Sequence, residues 1–243
     1  PRPAALLGSW TARADGRPAL RARARLDLDA PDLSLDRPQR LAVARPARMR
    51  VEVLGLFDQI AAVIVTDGDT YQVYDARSHD LEEGPVGPHL LWRVARVDLE
   101  PNEAVDLVLG SPRPGPALRS GGAKLFEDGA IAFVRLDERG VVREHYRFDA
   151  AGRLSELSRA NPAGQMVWRA RYADYRPIAA IGGGEEPFAH EVTLEFPRVE
   201  ARARLVFERV ALVPDLPDEL FSLRIPARTG SPARGRATRG GPT

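Results

Sequence analysis

Alternating apolar and polar residues run through much of this chain, a pattern typical of β-strands with one solvated face. The clearest example is Leu20 to Ala30, where alanine and leucine alternate with arginine and aspartate. The stretch from Gln39 to Tyr74 continues as several short strands, interrupted at Arg45-Pro46 and reversed at Asp67-Gly68, a strong hairpin signal. This first third therefore predicts a run of adjacent antiparallel strands.

Two features of this stretch are unusual for a sheet in water. Leu54, Leu56 and Phe57 surround Gly55 at a reversal, where turns normally contain Asn, Asp or Gly. The strand that follows, residues 60–65, is apolar on both faces. Together they predict a curved sheet with an apolar concave side and an apolar hairpin tip.

The second half predicts more strands. Similar four-residue turns begin at Asp137, Asp149 and Asn161, twelve residues apart, and end in glycine, which is typical of a β-meander. Short helices are predicted near Leu6, Leu91 and Val105, and residues 111–122 are predicted to be a loop. We expect one domain over residues 1–227 and a disordered basic tail over 228–243.

Composition excludes some classes and leaves others open. The 243 residues carry a net charge of +1 and no cysteine, so disulfides and thiolate chemistry are excluded and nothing global favours nucleic acid. Lys124 is the only lysine, a skew that we attribute to codon composition. We interpret the Arg-x-Arg-x-Arg row of residues 21–25 as a solvated strand face, with phosphate binding as the alternative. No apolar run is long enough to span a membrane, and the start at Pro1 without methionine is compatible with an upstream secretion signal or lipid-bearing cysteine.

Catalytic and metal-binding patterns are not found in the sequence. The four histidines have no metal-ligand spacing, Asp67 and Asp69 fit a hairpin better than a calcium loop, and Ser9 is not in a nucleophile elbow. The adjacent Glu185 and Glu186 are interpreted as loop carboxylates. We therefore expect neither an enzyme, nor a metal, nor a cofactor.

Several segments resemble the LolA/LolB superfamily of bacterial lipoprotein carriers, closest to its lipoprotein branch without assigned function. The resemblance covers the long first strand, the segment Arg45 to Glu52, the hairpin that ends at Tyr74, residues 107–110, and FSLRIPARTG at residues 221–230. It implies an all-β dominated, incomplete (half-open) antiparallel barrel, of which we expect roughly ten strands, with short helices packed in or over the concave face. In that family the cavity between sheet and helices holds acyl chains.

The resemblance also implies functional residues. Arg45 matches the arginine that lies near the cavity in the carrier branch and helps to hold the lid. In the acceptor branch an apolar residue on a protruding loop helps to deliver lipoprotein to the membrane, and Leu54, Leu56 and Phe57 lie in a comparable hairpin; the alternative is that this loop folds back onto a helix. The predicted cavity residues are Leu26, Leu28, Val43, Arg45, Met49, Val51, Ile64, Trp92 and Trp168.

The sequence therefore predicts a lipid-binding protein of the periplasm, or of the periplasmic face of the outer membrane, lipid-anchored there. Its expected partners are acylated lipoproteins or lipids, a membrane surface and a periplasmic carrier protein, with no nucleic acid; a monomer is expected. The carrier and acceptor branches are not distinguished. The alternative is a scaffold or sensor module of the envelope, and cavity volume discriminates: several hundred Å³ of apolar space favours a ligand, a packed interior the scaffold.

Overall fold

One antiparallel sheet of thirteen strands dominates the computed structural model, which describes residues 3–87, 89–115 and 117–224. The strands lie side by side in the order β6-β5-β4-β3-β2-β1-β13-β12-β11-β10-β9-β8-β7. They are β1 (Ala19–Ala30), β2 (Leu33–Ala44), β3 (Arg48–Leu54), β4 (Ile60–Thr66), β5 (Thr70–Asp75), β6 (Asp80–Pro85), β7 (Arg119–Leu125), β8 (Ile131–Leu136), β9 (Val142–Phe148), β10 (Leu154–Ala160), β11 (Met166–Ala179), β12 (Glu185–Phe196) and β13 (Ala201–Val213).

The chain both enters and leaves this sheet at its centre. It runs outward from β1 to β6, crosses to the opposite edge, and runs inward from β7 to β13, which pairs with β1. Three helices accompany it: α1 (Pro3–Asp15), and α2 (Leu90–Ala95) with α3 (Pro101–Val108) in the crossing segment. The sheet is open, since β6 and β7 form its two ends within the part of the chain that is described. The predicted half-open antiparallel fold is confirmed.

The prediction of roughly ten strands was too low. The edge strand β6 reads DLEEGP and the other edge strand β7 reads RSGGAKL; their side chains are mostly exposed, so neither shows apolar alternation. The predicted loop of residues 111–122 therefore ends earlier, where β7 begins at Arg119. Edge strands pair on one side only and can remain polar on both faces. They then lack the alternation of apolar and polar residues from which strands are predicted.

The three predicted helices are confirmed, and their ends follow from local chemistry. Proline occupies the first turn of α3, where its missing N–H is not needed. Glu100 and Glu103 form a reciprocal capping box at the same end. Helix α2 ends at Arg96 in the left-handed region.

The meander turns also follow from their sequence. In each of the three, the N–H of the glycine donates to the carbonyl of the Asp or Asn three residues earlier, at 2.9–3.0 Å. Gly140, Gly152 and Gly164 have φ values of 71–82°, which glycine adopts without steric cost. Regular turns of this kind fix the register of β8 to β11.

The expected disordered tail, residues 228–243, lies outside the described residues, as does most of the expected closing strand of residues 221–230. Phe221, the first residue of that segment, is the last residue of a 3₁₀ turn, Asp218–Phe221. Phe221 and Leu216 are buried against Ala42 and Ala44, so residues 216–221 pack on the convex side of β2.

Candidate functional site

An apolar cavity of about 450 Å³ lies between the concave face of the sheet and the crossing segment. The sheet side of its lining is mostly aliphatic, and Gln39 is the polar exception on β2. The Gln39 amide oxygen is buried and has no hydrogen-bond partner among the described residues. The sheet side is formed by Leu26, Leu28, Leu33, Leu35, Gln39, Leu41, Met49, Val51, Val53, Ala62, Ile64, Val73, Glu82, Val192, Leu194, Ala203 and Leu205.

Five of the nine predicted cavity residues line this cavity. They are Leu26, Leu28, Met49, Val51 and Ile64, which come from strands β1, β3 and β4. On β1 and β3 the alternation of apolar and polar residues was sufficient to select the cavity side chains. On β4 it was not, because Val63 and Val65 are as apolar as Ile64.

The other four predicted residues lie outside the lining. Val43 is fully buried in the core. Trp168 lies under the other half of the sheet, where its Nε1 donates to Glu103 at 3.3 Å. Trp92 is on α2 but is not part of the lining, and the Arg96 guanidinium lies over its ring. The fourth, Arg45, is buried at the end of β2 and contacts α3 instead of the cavity.

Strands β12 and β13 contribute cavity residues that the sequence did not reveal, among them Leu194 and Leu205. Both lie on alternating strands, 140 or more residues away from β1 and β3 in the chain. They lie beside the cavity because β13 pairs with β1 at the centre of the sheet, with Leu205 opposite Leu26. Alternation indicated that these residues face the core but not which part of it.

The segment around α2 covers the cavity with aliphatic side chains and is held down by exposed ion pairs. Leu91, Val94 and Val97 face the cavity. Arg93 pairs with Glu82 on β6 at 2.8 Å and Arg96 pairs with Asp32 at 2.9 Å. All four charged groups are about one third exposed or more, and such pairs contribute about 0–1 kcal/mol each. The polar contacts that hold helix α2 over the cavity are thus weak, and its attachment depends on Leu90 and Leu91, which are buried.

Helix α3, in contrast, is fastened at both ends by partly buried polar contacts. At its C-terminal end Asp106 pairs with Arg45, whose guanidinium also donates to the Ser111 carbonyl at 2.8 Å and, through Nε, to the Arg17 carbonyl at 3.0 Å. At its N-terminal end Glu103 accepts from Arg159 at 3.0 Å. These contacts join α3 to both halves of the sheet.

Arg45 remains a cation at neutral pH despite its burial. Desolvation lowers its pKa to about 10, and the positive charges of Arg113 and Arg17 act in the same direction. The arginine before Pro46 therefore acts in this structure as the connection between β2 and the end of α3.

The hairpin tip between β3 and β4 divides the predicted loop residues into two groups. Leu54 is fully buried, contrary to the prediction that places it in the membrane-inserting loop. Leu56 and Phe57 are 77% and 98% exposed, and so the alternative in which the loop buries both against a helix is wrong. Leu54 ends β3 just after a register shift between Val53 and Leu54, whereas the next two apolar residues form a 3₁₀ turn.

The tip has an unfavourable backbone as well as an exposed apolar surface. Phe57 and Asp58 have φ values of 59° and 61°, in the left-handed region that bulky residues rarely adopt. Asp58 is held by two hydrogen bonds from Arg23 on β1, at 2.8 and 3.0 Å. The hydrogen bond from Arg23 lowers the pKa of Asp58, which is ionised at neutral pH. This clamp fixes the turn in the conformation that projects Phe57 away from the protein.

Other kinds of site have no support in the part of the chain that is described. No cluster of three or more potential metal ligands occurs there. None of the described helices is long and apolar enough to cross a membrane.

No protein-family model matches the sequence, and no curated protein matches it. Three solved structures are similar over most of their length. The first is the LolA superfamily protein NE2245 from Nitrosomonas europaea, 14% identical with a TM-score of 0.57 over 89% of this chain and 97% of that one. The second, described as an outer membrane lipoprotein-sorting protein domain from Vibrio parahaemolyticus, is 12% identical with a TM-score of 0.56, over 89% and 94%.

The third is a DUF1329 family protein from Desulfovibrio piger, 11% identical with a TM-score of 0.59, over 90% of this chain and 95% of that one. Identities of this size establish architecture and not activity. With its open antiparallel sheet and its helices over the concave face, the chain has a LolA-like fold.

Proposed function

We propose that this protein binds the acyl chains of lipids or lipoproteins in the cavity between the sheet and α2. The observation that carries the proposal is the cavity itself: about 450 Å³ lined almost entirely by aliphatic side chains. That volume is in the range of small-molecule sites. A scaffold or sensor module with a filled interior is not supported by a cavity of this size.

The energetics of such a site are those of transfer from water. Each buried methylene contributes about 0.8 kcal/mol, so a long acyl chain is worth about 10 kcal/mol before ordering costs. A protein that hands its ligand on must bind less tightly than this maximum. Helix α2, whose polar contacts are weak, provides a route for the chain to enter and leave without unfolding the sheet.

Cellular location and partners are part of the proposal. An acyl-chain cavity in a LolA-like fold suits the periplasm or the periplasmic face of the outer membrane, with acylated lipoproteins as cargo and a periplasmic carrier as exchange partner. The protein needs no bond chemistry for this role. The exposed Leu56 and Phe57 would then contact the membrane surface or the lipid of an incoming lipoprotein.

The cavity is tested by filling it. The double substitution Val51→Trp and Leu194→Trp places two indoles on the cavity wall. We expect loss of binding of a fluorescent fatty-acid probe, measured by fluorescence titration, with the same strand content by circular dichroism. Val142→Trp is the matched control, because Val142 is exposed on β9 away from the cavity. Equal probe affinity in all three proteins would refute the cavity as the lipid site.

The tip is tested separately. Burying Leu56 and Phe57 in a membrane would contribute about 3–6 kcal/mol at most, enough for transient docking and too little for anchoring. The double substitution Leu56→Glu and Phe57→Glu should therefore abolish co-sedimentation with liposomes while thermal stability is kept, since neither side chain is packed. If the original protein binds liposomes measurably and the double variant co-sediments to the same extent, insertion of the tip is excluded.

A further inference from the structure

A group of arginines lies on the convex face of the sheet, beside the turn that carries Phe57. The sequence showed one row of them, on β1, and favoured a solvated surface. The strand register adds members from neighbouring strands: Arg40 on β2 and Arg209 on β13 both lie directly opposite Arg23 on β1. Three arginines thus stand in one line across three adjacent strands, an arrangement in which like charges repel.

Beside this line of arginines, the residues paired across the strands with Arg21 form a hollow. Arg21 on β1 lies opposite Ala42 on one side and Ala211 on the other. The small alanines leave a surface depression of about 480 Å³ between the longer side chains. We call this depression and its arginines the convex arginine patch; its cations are Arg21, Arg23, Arg40, Arg50 and Arg209.

Three carboxylates accompany these five cations, and they are unevenly shared. Arg23 forms ion pairs with both Asp58 and Glu208, at 2.8 and 2.9 Å. Glu52 forms an ion pair with Arg50 at 2.8 Å and a longer one with Arg40 at 3.5 Å. Neither Arg21 nor Arg209 has a carboxylate within 4.0 Å among the described residues, and both are exposed.

Most arginines elsewhere on the convex face are paired with carboxylates, and Arg202 is an exception. Arg171 pairs with both Glu156 and Glu195, and Arg204 pairs with Glu191 at 2.8 Å. An excess of positive charge is therefore a local property of the patch. It ends along β1, where Arg25 is paired with Asp36 and the row continues as aspartates.

The patch and the apolar tip are joined by a direct contact. Asp58, next to Phe57 in the chain, is held by the Arg23 guanidinium. A surface that meets Leu56 and Phe57 is consequently also close to the guanidinium groups of Arg40 and Arg209. Guanidinium groups bind phosphate oxygens with paired hydrogen bonds.

We propose that the convex arginine patch binds the phosphate groups of anionic phospholipids when the tip meets a membrane. This inference rests on the membrane contact in the proposed function and adds the class of lipid and the residues that select it. The apolar tip supplies the insertion and the patch supplies a preference for negative charge. Together they set the convex side of β1 and β2, and not the cavity mouth, against the bilayer.

The experiment compares three full-length proteins that all retain the four arginines of residues 225–243. The first is unchanged, and the second carries Arg21→Gln, Arg40→Gln and Arg209→Gln. The third is a charge-matched control with Arg77→Gln, Arg119→Gln and Arg198→Gln, exposed positions with no ion pair among the described residues. Binding is measured by co-sedimentation with phosphatidylcholine vesicles with and without phosphatidylglycerol, at low and high NaCl.

The unchanged protein and the control should prefer the phosphatidylglycerol vesicles, and the preference should decrease in high NaCl. The patch variant should lose roughly tenfold or more in affinity for those vesicles, on the basis of about fivefold per basic residue at an anionic surface. It should still bind phosphatidylcholine like the unchanged protein. Fatty-acid probe binding should be the same in all three.

Three results would overturn the inference. If the patch variant and the control lose the preference equally, net charge and not the patch is responsible. If all three proteins bind both kinds of vesicle equally, the tip inserts without selecting charge, and the proposed membrane contact stands without the patch. If none of the three proteins binds vesicles, both the membrane contact and the arginine patch are refuted. Binding of the fatty-acid probe would still test the cavity.

Discussion

The two halves of the sheet bury their concave faces in different ways. Strands β1 to β5, with parts of β12 and β13, present leucine, valine and isoleucine to a cavity. Strands β8 and β9 present aromatic rings to one another, with Phe133 and Tyr146 stacked at 5.2 Å, and α1 inserts Trp10 edge-on against Phe148 at 5.9 Å. One half is therefore aliphatic and hollow. The other, which we call the filled half, has a core of aromatic rings, and its pocket of about 460 Å³ beside Glu103 and Arg159 is lined with charged groups.

The helices differ in the same way as the strands that they cover. Trp10 of α1 is 2% exposed and its indole N–H donates to the Pro112 carbonyl at 2.9 Å, so α1 is part of the core. Helix α2 is held over the cavity by exposed ion pairs. A protein that must admit a ligand needs one region that opens at low cost and another that keeps the fold intact.

A buried charge cluster further distinguishes the filled half. The Glu144 carboxylate accepts hydrogen bonds from Arg135, Arg159, the Tyr146 hydroxyl and the Gly115 N–H, at 2.8–3.1 Å. Burial and the charge of Glu144 together raise the pKa of Tyr146. For Arg159, burial acts to lower the pKa, but the charges of Glu144 and Glu103 outweigh it and the pKa is raised. All of the hydrogen-bonding capacity of this carboxylate is used inside the protein, so we assign it to stability.

The largest expected effect on stability is at Glu144. Replacing it with alanine leaves Arg135 without its buried counter-charge and Arg159 with Glu103 alone, and breaking such a buried pair costs about 3–5 kcal/mol. Urea unfolding followed by circular dichroism measures this free energy. Glu138→Ala, in the exposed turn before β9, is the control and should change stability by less than about 0.5 kcal/mol. A similarly small loss for Glu144→Ala would contradict the view that this half is the rigid one.

A smaller effect comes from equal truncations in the two halves. Leu157→Ala removes a fully buried side chain of the filled half and should cost about 2–5 kcal/mol. Ile64→Ala removes a side chain that faces the cavity and should cost about 1 kcal/mol, because it has fewer packed neighbours to lose. The same unfolding measurement checks both. If the two costs were equal, the cavity wall would be packed like the core, and the contrast between the halves would fail.

Sequence alone determined much of this protein. Alternation on β1 and β3 selected Leu26, Leu28, Met49 and Val51, because a strand with one wet face must turn every second side chain inward. The turns at Asp137, Asp149 and Asn161, the start of α3 at Pro101 and the unusual Leu56 and Phe57 were also readable, since each depends on neighbouring residues.

Only the tertiary structure decided which apolar residues share a space. Trp168 and Val43 look as suitable for a cavity as Val51, yet they lie in packed core, because position along a long curved sheet is set by pairing between distant strands. The contacts of Arg45 with α3, the burial of Leu54 and the line formed by Arg40, Arg23 and Arg209 have the same origin. Local sequence fixes which face a side chain takes, whereas its neighbours on that face come from strands more than a hundred residues away.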